Sequence, residues 1–576
     1  MFTKAHKTRL ATIVLAFVIL GVLVWGRLVW LQLVGAGRYL KLAHQQHHLV
    51  VELPPTRGTI YDRHFQPLAI DIRMPSLYAD PRWVKDKAKA VRLLAPVLGV
   101  PELRLRQQLQ QRRGFVWLAR KTSNHAAYQV NTLRIPGIDT VKEPQRVYPG
   151  GPLAVHVVGC AGLDHRGLEG LELALDGWLR GRPGWQWLQR DAKQRRLEVW
   201  EREVVPPRHG LDVVLTIDQV IQHAAEQALE EAYRKHRAQG ASIVVLQPRT
   251  GEILALANRP TYDPNHLGKT APAVRRNRAL TDTFEPGSVF KVVTASAALG
   301  EGVVVPTDRL YCEQGAYPIA GRILHDARPH GWLTFREVIE QSSNIGTAKV
   351  AMKLGAGPLY RYIRAYGFGQ RTGAGLPGEV VGETKPPSQW SRPSTFAIPM
   401  GQEVTVTAMQ LAVMIASVAN DGVMMRPWLI REIRDAQGQV IHAGHPQKVR
   451  RVVSSEVAAE LKTVLAGAVE RGTGKLASVP GYRVAGKTGT AQKVEAGVYS
   501  HRRFVSSFAG FAPVEDPQLA IVVVIDEPRP FYYGGVVAAP VFQAVVTHAL
   551  PYLKQQSPSG LRMETAALTR AGQLWD

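Results

Sequence analysis

The chain has 576 residues, more than the roughly 250–300 over which one hydrophobic core grows, so several domains are expected. Hydrophobic residues make up 45% and charged residues 20%, a composition that excludes a disordered or polytopic membrane protein. The 71 Lys and Arg exceed the 47 Asp and Glu, and the net charge of +24 favours anionic surroundings without choosing among lipid, nucleic acid and anionic polymers. Two cysteines, Cys160 and Cys312, exclude a disulfide scaffold and a thiolate zinc cluster.

The N-terminal segment predicts a membrane anchor. Residues 1–9 are basic, and the 17 residues from Leu10 to Gly26 are uncharged and mostly aliphatic. As a helix they would span about 25 Å, and the apolar piece from Leu28 to Gly35 supplies the rest of a hydrocarbon layer of about 30 Å. A cleaved signal peptide is the alternative, but its apolar region would be only about 7–15 residues long.

This pattern predicts a cytoplasmic tail over residues 1–9 and a transmembrane anchor over 10–35, oriented by the basic flank. No later segment is expected to be long and apolar enough to cross the membrane again. The bulk of the chain is therefore expected outside the cytoplasm, which makes nucleic acid an unexpected partner despite the charge.

Two domains and a tail are expected beyond the anchor. Residues 36–215 are rich in strand and turn signals and show no long helical pattern. Residues 216–555 mix helical and strand patterns, and residues 556–576 are small and polar. We therefore predict an α+β protein with a strand-rich domain, a helix-and-sheet domain and a C-terminal tail.

Three short motifs in the second large domain carry the chemistry. In the first, Pro286-Gly287 precede Ser288 and an apolar run follows, which places Ser288 at a helix N-terminus with Lys291 one turn further on. A neutral lysine there would take the hydroxyl proton and make the serine a nucleophile. The simpler reading is a helix-start serine with a surface lysine.

The second motif is Ser342-Ser343-Asn344, in which Ser342 would relay a proton to the leaving amine and Asn344 would hold a substrate amide. A polar turn that opens a helix is the simpler reading.

The third motif is Lys487-Thr488-Gly489-Thr490, on an alternating strand followed by two further strand patterns. Lys487 would attract a carboxylate, Thr490 would hydrogen-bond it, and Gly489 would let a peptide lie against the strand. The backbone N–H groups of Ser288 and Thr490 would form an oxyanion hole.

In this order along one chain, the three motifs resemble those of penicillin-binding proteins and serine β-lactamases. Motifs of the first large domain resemble the non-catalytic pedestal of class B penicillin-binding proteins: Arg57-Gly58-x-Ile60-x-Asp62-Arg63, Arg146-x-Tyr148-Pro149-x-Gly151 and Gly167-x-x-Gly170-x-Glu172. Within that class, segments 276–288 and 531–542 are similar to the division (FtsI) type. Elongation-type relatives usually read Pro-Pro-Gly-Ser where this chain has Glu285-Pro286-Gly287-Ser288.

The resemblance implies a transpeptidase domain of the penicillin-recognising fold, an antiparallel sheet with helices around it. It implies D,D-transpeptidation of peptidoglycan stem peptides at the division septum, with Ser288 as nucleophile and Lys291 as general base. Ser342 and Asn344 carry over as proton relay and substrate support, and Lys487, Thr488, Gly489 and Thr490 as the substrate strand.

The same resemblance implies β-lactams as covalent inhibitors and no cofactor or metal. It also implies a periplasmic catalytic domain on the inner membrane at the division site. The implied protein partners are FtsW and the divisome proteins FtsQ, FtsL, FtsB and FtsN.

Three departures from the family pattern stand out. Val292 replaces the usual proline after the lysine, His64-Phe65 replaces an Asn-Gly turn, and Glu403 replaces the second glycine of a Gly-x-Gly loop. None touches a predicted catalytic side chain, but Glu403 is expected to alter the loop near the cleft. The two cysteines fall in different predicted domains, so we expect buried free thiols.

Other functions are weighed against this one. A β-lactamase of class A would need a glutamate in an E-x-x-L-N loop, and no such string lies between Asn344 and Lys487, so Ser288 is expected to stay acylated. A non-catalytic divisome scaffold or β-lactam sensor would not need the intact motifs. An elongation-type transpeptidase is the nearest competitor. A bifunctional enzyme would also need a glycosyltransferase motif, which the pedestal lacks.

Overall fold

A computed structural model describes residues 4–39, 48–189, 204–495 and 497–556. The chain folds into two compact units, one formed by residues 1–55 with 181–209 and the other by residues 56–180 with 210–576. The predicted C-terminal tail lies outside the described residues from position 557 onward.

The first unit contains the predicted anchor. An α-helix over Lys4–Val29 continues into one π-helical stretch over Trp30–Val34, and this segment of 31 residues is long and apolar enough to cross a membrane. No residue of the helix Lys4–Val29 is buried within the protein. The unit also contains a three-stranded antiparallel sheet formed by His48–Leu53, Gly184–Gln189 and Val204–Val205.

The prediction that no later segment resembles a membrane span was wrong. The helical stretch Gly534–Gln556 also has the length and hydropathy of a span, but half of its most apolar window is buried in the second unit. Its apolar side chains, among them Phe542 and Val546, pack in the core against the helix Gln219–Lys235. The apolar composition of this stretch is therefore explained by core packing.

The N-terminal part of the second unit is built on a long strand, Pro67–Ala79. This strand pairs with Ile60–Tyr61, Val116–Ala119 and Ile138–Val147. The sheet continues through Asp212–Leu215 and Ile430–Arg434 to Val440–Ala443. Because Asp212–Leu215 pairs with Ile60–Tyr61 on one side and Ile430–Arg434 on the other, one sheet joins this region to the region that carries the three motifs.

Residues 87–132 of this strand-rich region contain helices, although its sequence shows no long helical pattern. Three helices form there, over Lys87–Leu98, Glu102–Leu109 and Asn124–Thr132. Asp86 and Ser123 cap two of them, and buried Val91, Leu94 and Leu105 bind them to the sheet. Their apolar stripes are short and interrupted by charges, so tertiary packing rather than sequence periodicity determines them.

A buried ion cluster stabilises the same region. The Arg57 guanidinium donates to Glu172 at 2.5 Å and to Asp176 at 2.6 Å, and Arg146 donates to the other Glu172 oxygen at 2.6 Å. Tyr148 also donates to Glu172, at 3.3 Å. All three family motifs of this region contribute to the cluster, so they hold its segments together.

The region that carries the three motifs is a sheet between two helical layers. Five antiparallel strands run in the order Ile253–Arg259, Gly240–Leu246, Leu519–Asp526, Val498–Ala512 and Ala485–Glu495. Alternate residues of each strand face opposite sides: Val244 and Val522 pack in one core, whereas Ile243 and Val523 pack in the other. The predicted α+β fold is confirmed.

Helices Lys291–Gly300 and Ala408–Ala419 lie in the first core, and Gln219–Lys235 and Ala539–Gln556 lie in the second. Every residue of Ala408–Ala419 is buried, as expected for a helix at the centre of a domain. The remaining α-helices of at least five residues in the second unit cover Gly170–Ala174, Phe335–Glu340, Asn344–Leu354, Ala356–Ala365 and Ser455–Glu470. Short two-stranded pairs are formed by Cys160–Ala161 with Gly167–Glu169, Arg309–Tyr311 with Trp332–Thr334, Ala316–Ile319 with Arg322–His325, and Val423–Met425 with Lys448–Arg451.

Both cysteines are buried free thiols, as expected.

Arg57→Ala is expected to destabilise the folded protein by about 3–5 kcal/mol, because it leaves the buried Glu172 carboxylate without one of its cationic partners. The measurement is the urea unfolding midpoint followed by tryptophan fluorescence. Arg180→Ala is the matched control, since the Arg180 side chain is 48% exposed and lies 3.8 Å from Asp176. A loss of stability no larger than in the control would contradict a structural role for the cluster.

Candidate active site

The predicted nucleophile lies on a short 3₁₀ turn, Gly287–Phe290, immediately before the helix Lys291–Gly300. Gly287 has a φ of +54°, and a Cβ there would lie 3.0 Å from the carbonyl oxygen of Thr490. Val289 and Phe290 are fully buried, whereas Ser288 is partly exposed. The buried neighbours therefore hold the turn while Ser288 itself stays partly exposed.

Lys291 is fully buried, and its amine meets the second motif. Its Nζ donates to the backbone oxygen of Ser342 at 2.7 Å and to Oδ1 of Asn344 at 2.7 Å, and lies 3.3 Å from the Ser342 hydroxyl. The Asn344 amide is oriented by its own Nδ2, which donates to the backbone oxygen of His325 at 2.8 Å. The structure thus brings Lys291, Ser342 and Asn344 together.

This environment favours the uncharged amine. Burial lowers the pKa of Lys291 to about 7, and the nearby charge of Asp326 acts in the opposite direction. A neutral amine has two N–H groups and one lone pair. The Ser342 carbonyl and the Asn344 amide oxygen each accept one N–H, so the lone pair is left for a hydroxyl, and the Ser342 hydroxyl lies 3.3 Å away.

The Ser342 backbone connects two helices, Phe335–Glu340 and Asn344–Leu354. Ser342 has a φ of +62°, a conformation that non-glycine residues adopt only when their surroundings hold them there. Ser343 caps the second helix by accepting from the backbone N–H of Gly346.

The third motif lies on the terminal strand of the central sheet, Ala485–Glu495, as predicted. On its outer side this strand pairs with no other strand in the described part of the chain. Lys487 is fully buried, and burial followed by the charge of Lys291 lowers its pKa well below the usual value. Two ammonium groups are therefore disfavoured together in this site.

Gly489 allows the strand to contact the nucleophile turn. A Cβ at Gly489 would lie 2.3 Å from the Ser507 hydroxyl, 2.8 Å from the Pro286 carbonyl oxygen and 2.9 Å from the Val289 side chain. Glycine is needed at this position because the two segments approach closely. The contact joins the first motif to the third.

The two threonines of the motif have partners at the strand. The Thr488 hydroxyl lies 2.7 Å from that of Thr473, and Thr490 accepts from the backbone N–H of Gly534 at 3.1 Å. The segment 531–542, noted in the sequence for its similarity to division-type proteins, therefore lies beside this strand. The use of the Ser288 and Thr490 N–H groups as an oxyanion hole remains a prediction.

Sequence reasoning missed Asp326. Its carboxylate accepts from the Ser343 hydroxyl at 2.7 Å and from the backbone N–H groups of Asn344 at 2.5 Å and Ile345 at 3.0 Å. A lone aspartate after a short strand has no recognisable spacing to the three motifs, and nothing in the single sequence identified it.

Glu403, the expected change near the cleft, has a φ of +57°, in the region where a glycine is usual. Its backbone N–H donates to Glu285 at 2.9 Å, and its carboxylate accepts from Ser394 at 2.7 Å. Burial raises the pKa of Glu285, and the charge of Glu403 acts in the same direction. The hydrogen bonds that Glu285 accepts from Glu403 and Tyr499 lower this pKa in part. The substitution therefore places a second carboxylate beside Glu285, three residues before Ser288.

Gly489→Ala is expected to lower covalent labelling of the protein by a fluorescent penicillin at least about 100-fold, because displacing reacting groups by about 1 Å has that effect. The measurement is the second-order labelling rate. Gly357→Ala is the matched control, since a Cβ at Gly357 meets nothing within 4 Å. Equal labelling rates would show that the close contact is not needed.

Comparisons with known proteins agree with this arrangement. Residues 241–547 match the sequence profile of the penicillin binding protein transpeptidase domain, and residues 52–215 match that of the penicillin-binding protein dimerisation domain. Probable peptidoglycan D,D-transpeptidase PbpC of Pseudomonas aeruginosa is 38% identical over 86% of this chain and 87% of its own length. Peptidoglycan D,D-transpeptidase FtsI of Escherichia coli is 33% identical over 86% of this chain and 84% of its own.

Among solved structures, penicillin binding protein 3 of Mycobacterium tuberculosis in complex with aztreonam superposes with a TM-score of 0.69 at 31% identity, over 88% of this chain and 97% of that one. The resemblance seen in the motifs is thus confirmed across both large domains. The chain belongs to the class B penicillin-binding proteins and is a serine-type peptidoglycan D,D-transpeptidase.

Proposed function

We propose that this enzyme cross-links stem peptides at the division septum through an acyl-enzyme on Ser288. The observation that carries the chemistry is the buried Lys291 amine, whose two N–H groups are taken by acceptor oxygens and whose pKa is about 7. The septal role is supported by the 33% identity to FtsI of Escherichia coli and by the Glu285-Pro286-Gly287-Ser288 context.

In the first half-reaction, Ser288 Oγ attacks the carbonyl carbon of the D-Ala-D-Ala bond and its proton passes to neutral Lys291. The N–H groups of Ser288 and Thr490 stabilise the oxyanion. The C–N bond then breaks, a proton reaches the departing amine through the Ser342 hydroxyl, and D-Ala leaves. The acyl group remains on Ser288 as an ester.

In the second half-reaction, the amine of a neighbouring stem attacks this ester. The amine loses its proton to the same base, and the ester C–O bond breaks to regenerate the Ser288 hydroxyl. Asn344 supports the donor peptide, and Thr488 and Gly489 line the strand along which it binds. The terminal carboxylate of the donor binds beside Lys487 and favours the charged form of that lysine, which burial and the charge of Lys291 disfavour.

The proposed placement follows from the N-terminal helix Lys4–Val34 and its basic flank. Residues 1–9 lie in the cytoplasm, residues 10–35 cross the inner membrane, and the pedestal (36–215) and transpeptidase domain (216–555) lie in the periplasm. The pedestal and the anchor receive FtsW and the divisome proteins FtsQ, FtsL, FtsB and FtsN.

Lys291→Arg is expected to lower the rate of acylation by benzylpenicillin by about 10²–10⁴-fold, because a guanidinium does not deprotonate and cannot act as general base. In the unmodified protein the rate should fall as the pH drops below about 7, since protonation of Lys291 removes the base. Stopped-flow acylation between pH 5.5 and 9 measures both effects. An unchanged rate in the variant, or a flat profile in the unmodified protein, would contradict the proposed base.

The septal role is tested by depleting the protein in living cells while imaging their shape. We expect filaments with failed septa, rescued by the unmodified gene and not by Ser288→Ala. Ser455→Ala, which changes an exposed serine, is the control that should rescue and should label with fluorescent penicillin. Rounded cells would assign the enzyme to elongation, and rescue by Ser288→Ala would indicate a non-catalytic scaffold.

A further inference from the structure

Asp326 connects a hairpin to the second motif of the active site. It follows the two-stranded hairpin Ala316–Ile319 and Arg322–His325, and its own backbone N–H donates to the Gly315 carbonyl oxygen at 3.1 Å. The Asp326 backbone is therefore held on the hairpin side, and its carboxylate reaches the helix Asn344–Leu354.

Three hydrogen bonds converge on this carboxylate. One oxygen accepts from the first two backbone N–H groups of the helix, those of Asn344 and Ile345, and the other accepts from the Ser343 hydroxyl. A carboxylate at a helix N-terminus satisfies N–H groups that have no partner within the helix. Asp326 thereby contacts two of the three residues Ser342, Ser343 and Asn344 directly.

These contacts determine where the oxygens that face Lys291 lie. Ser342 keeps its φ of +62° only while the residues after it are held, and its carbonyl is one of the two acceptors of the Lys291 amine. The other acceptor, Asn344 Oδ1, belongs to the residue whose backbone N–H binds Asp326. Moving this segment would move both acceptors together.

Asp326 also supplies negative charge. The charged groups that act on Lys291 are Asp326, which raises its pKa against the effect of burial, and Lys487, whose own pKa Lys291 lowers. When Lys291 takes the Ser288 proton, a full positive charge forms in a completely buried site beside a second lysine. A nearby carboxylate stabilises that ammonium.

We propose that Asp326 is a positioning residue of the acylation step, which holds Ser342 and Asn344 against Lys291 and stabilises the ammonium formed when Lys291 accepts the Ser288 proton. This rests on the proposed role of Lys291 as general base. Position and charge are separable, because asparagine has the size of aspartate and keeps an oxygen for the two backbone N–H groups.

The test compares Asp326→Asn and Asp326→Ala in the full-length protein, with the acylation rate by benzylpenicillin measured across pH. Asp326→Asn keeps the backbone contacts and removes the charge, so the acid limb of the profile should move to lower pH while the plateau rate falls about 10-fold, because the base is weaker. Asp326→Ala removes the contacts as well, so its plateau should fall about 100-fold.

Asp308→Asn is the matched control, since it also removes one carboxylate that accepts a backbone N–H, that of Val305, at an exposed position. Its profile should coincide with that of the unmodified protein. Thermal unfolding midpoints identify any variant that fails to fold. If Asp326→Ala does not fold, the acylation profile of Asp326→Asn alone tests the role of Asp326.

The possible outcomes separate the two proposals. An acid limb that stays in place in folded Asp326→Asn, with an unchanged plateau, overturns the role of Asp326. If the profile of the unmodified protein shows no acid limb, the role of Lys291 as general base is overturned instead. A shifted limb in Asp326→Asn and a larger rate loss in Asp326→Ala support both parts of the inference.

Discussion

The site depends on one fully buried amine whose charged form is disfavoured by desolvation. Burial lowers the pKa of Lys291 to about 7, and two acceptor oxygens take its N–H groups. Fully desolvating an ammonium is unfavourable, and here the lowered pKa of Lys291 and the acceptor oxygens around it both reduce that cost.

The arrangement is assembled from three distant segments by close backbone contact. Gly287 and Gly489 let the nucleophile turn and the terminal strand meet at distances that a side chain would prevent. The Ser342–Asn344 segment reaches the same place from a separate pair of helices. Because the strand Ala485–Glu495 belongs to a five-stranded sheet packed on both faces, the contact surface is rigid. Such preorganisation is what a developing oxyanion needs.

The region before the catalytic sheet shows the limits of pattern reading. Its family motifs were visible, and the structure shows why they recur: Arg57, Arg146 and Glu172 meet in one buried ion cluster. Its helices between Lys87 and Thr132 were not predicted, since each has only two or three buried residues and takes its stability from the neighbouring strand. The C-terminal helix presents the opposite case, because core burial gave it the composition of a membrane span.

The amino-acid sequence alone determined the three motifs and their order, the apolar N-terminal segment and the strand-and-helix class of the catalytic domain. These follow from local chemistry and periodicity, which a single chain displays. The tertiary structure decided which atoms face Lys291, why Gly489 has to be a glycine, and that Asp326 takes part. Those facts depend on contacts between residues far apart along the chain. The order of residues in the sequence does not show which side chains lose their contact with water when such segments meet.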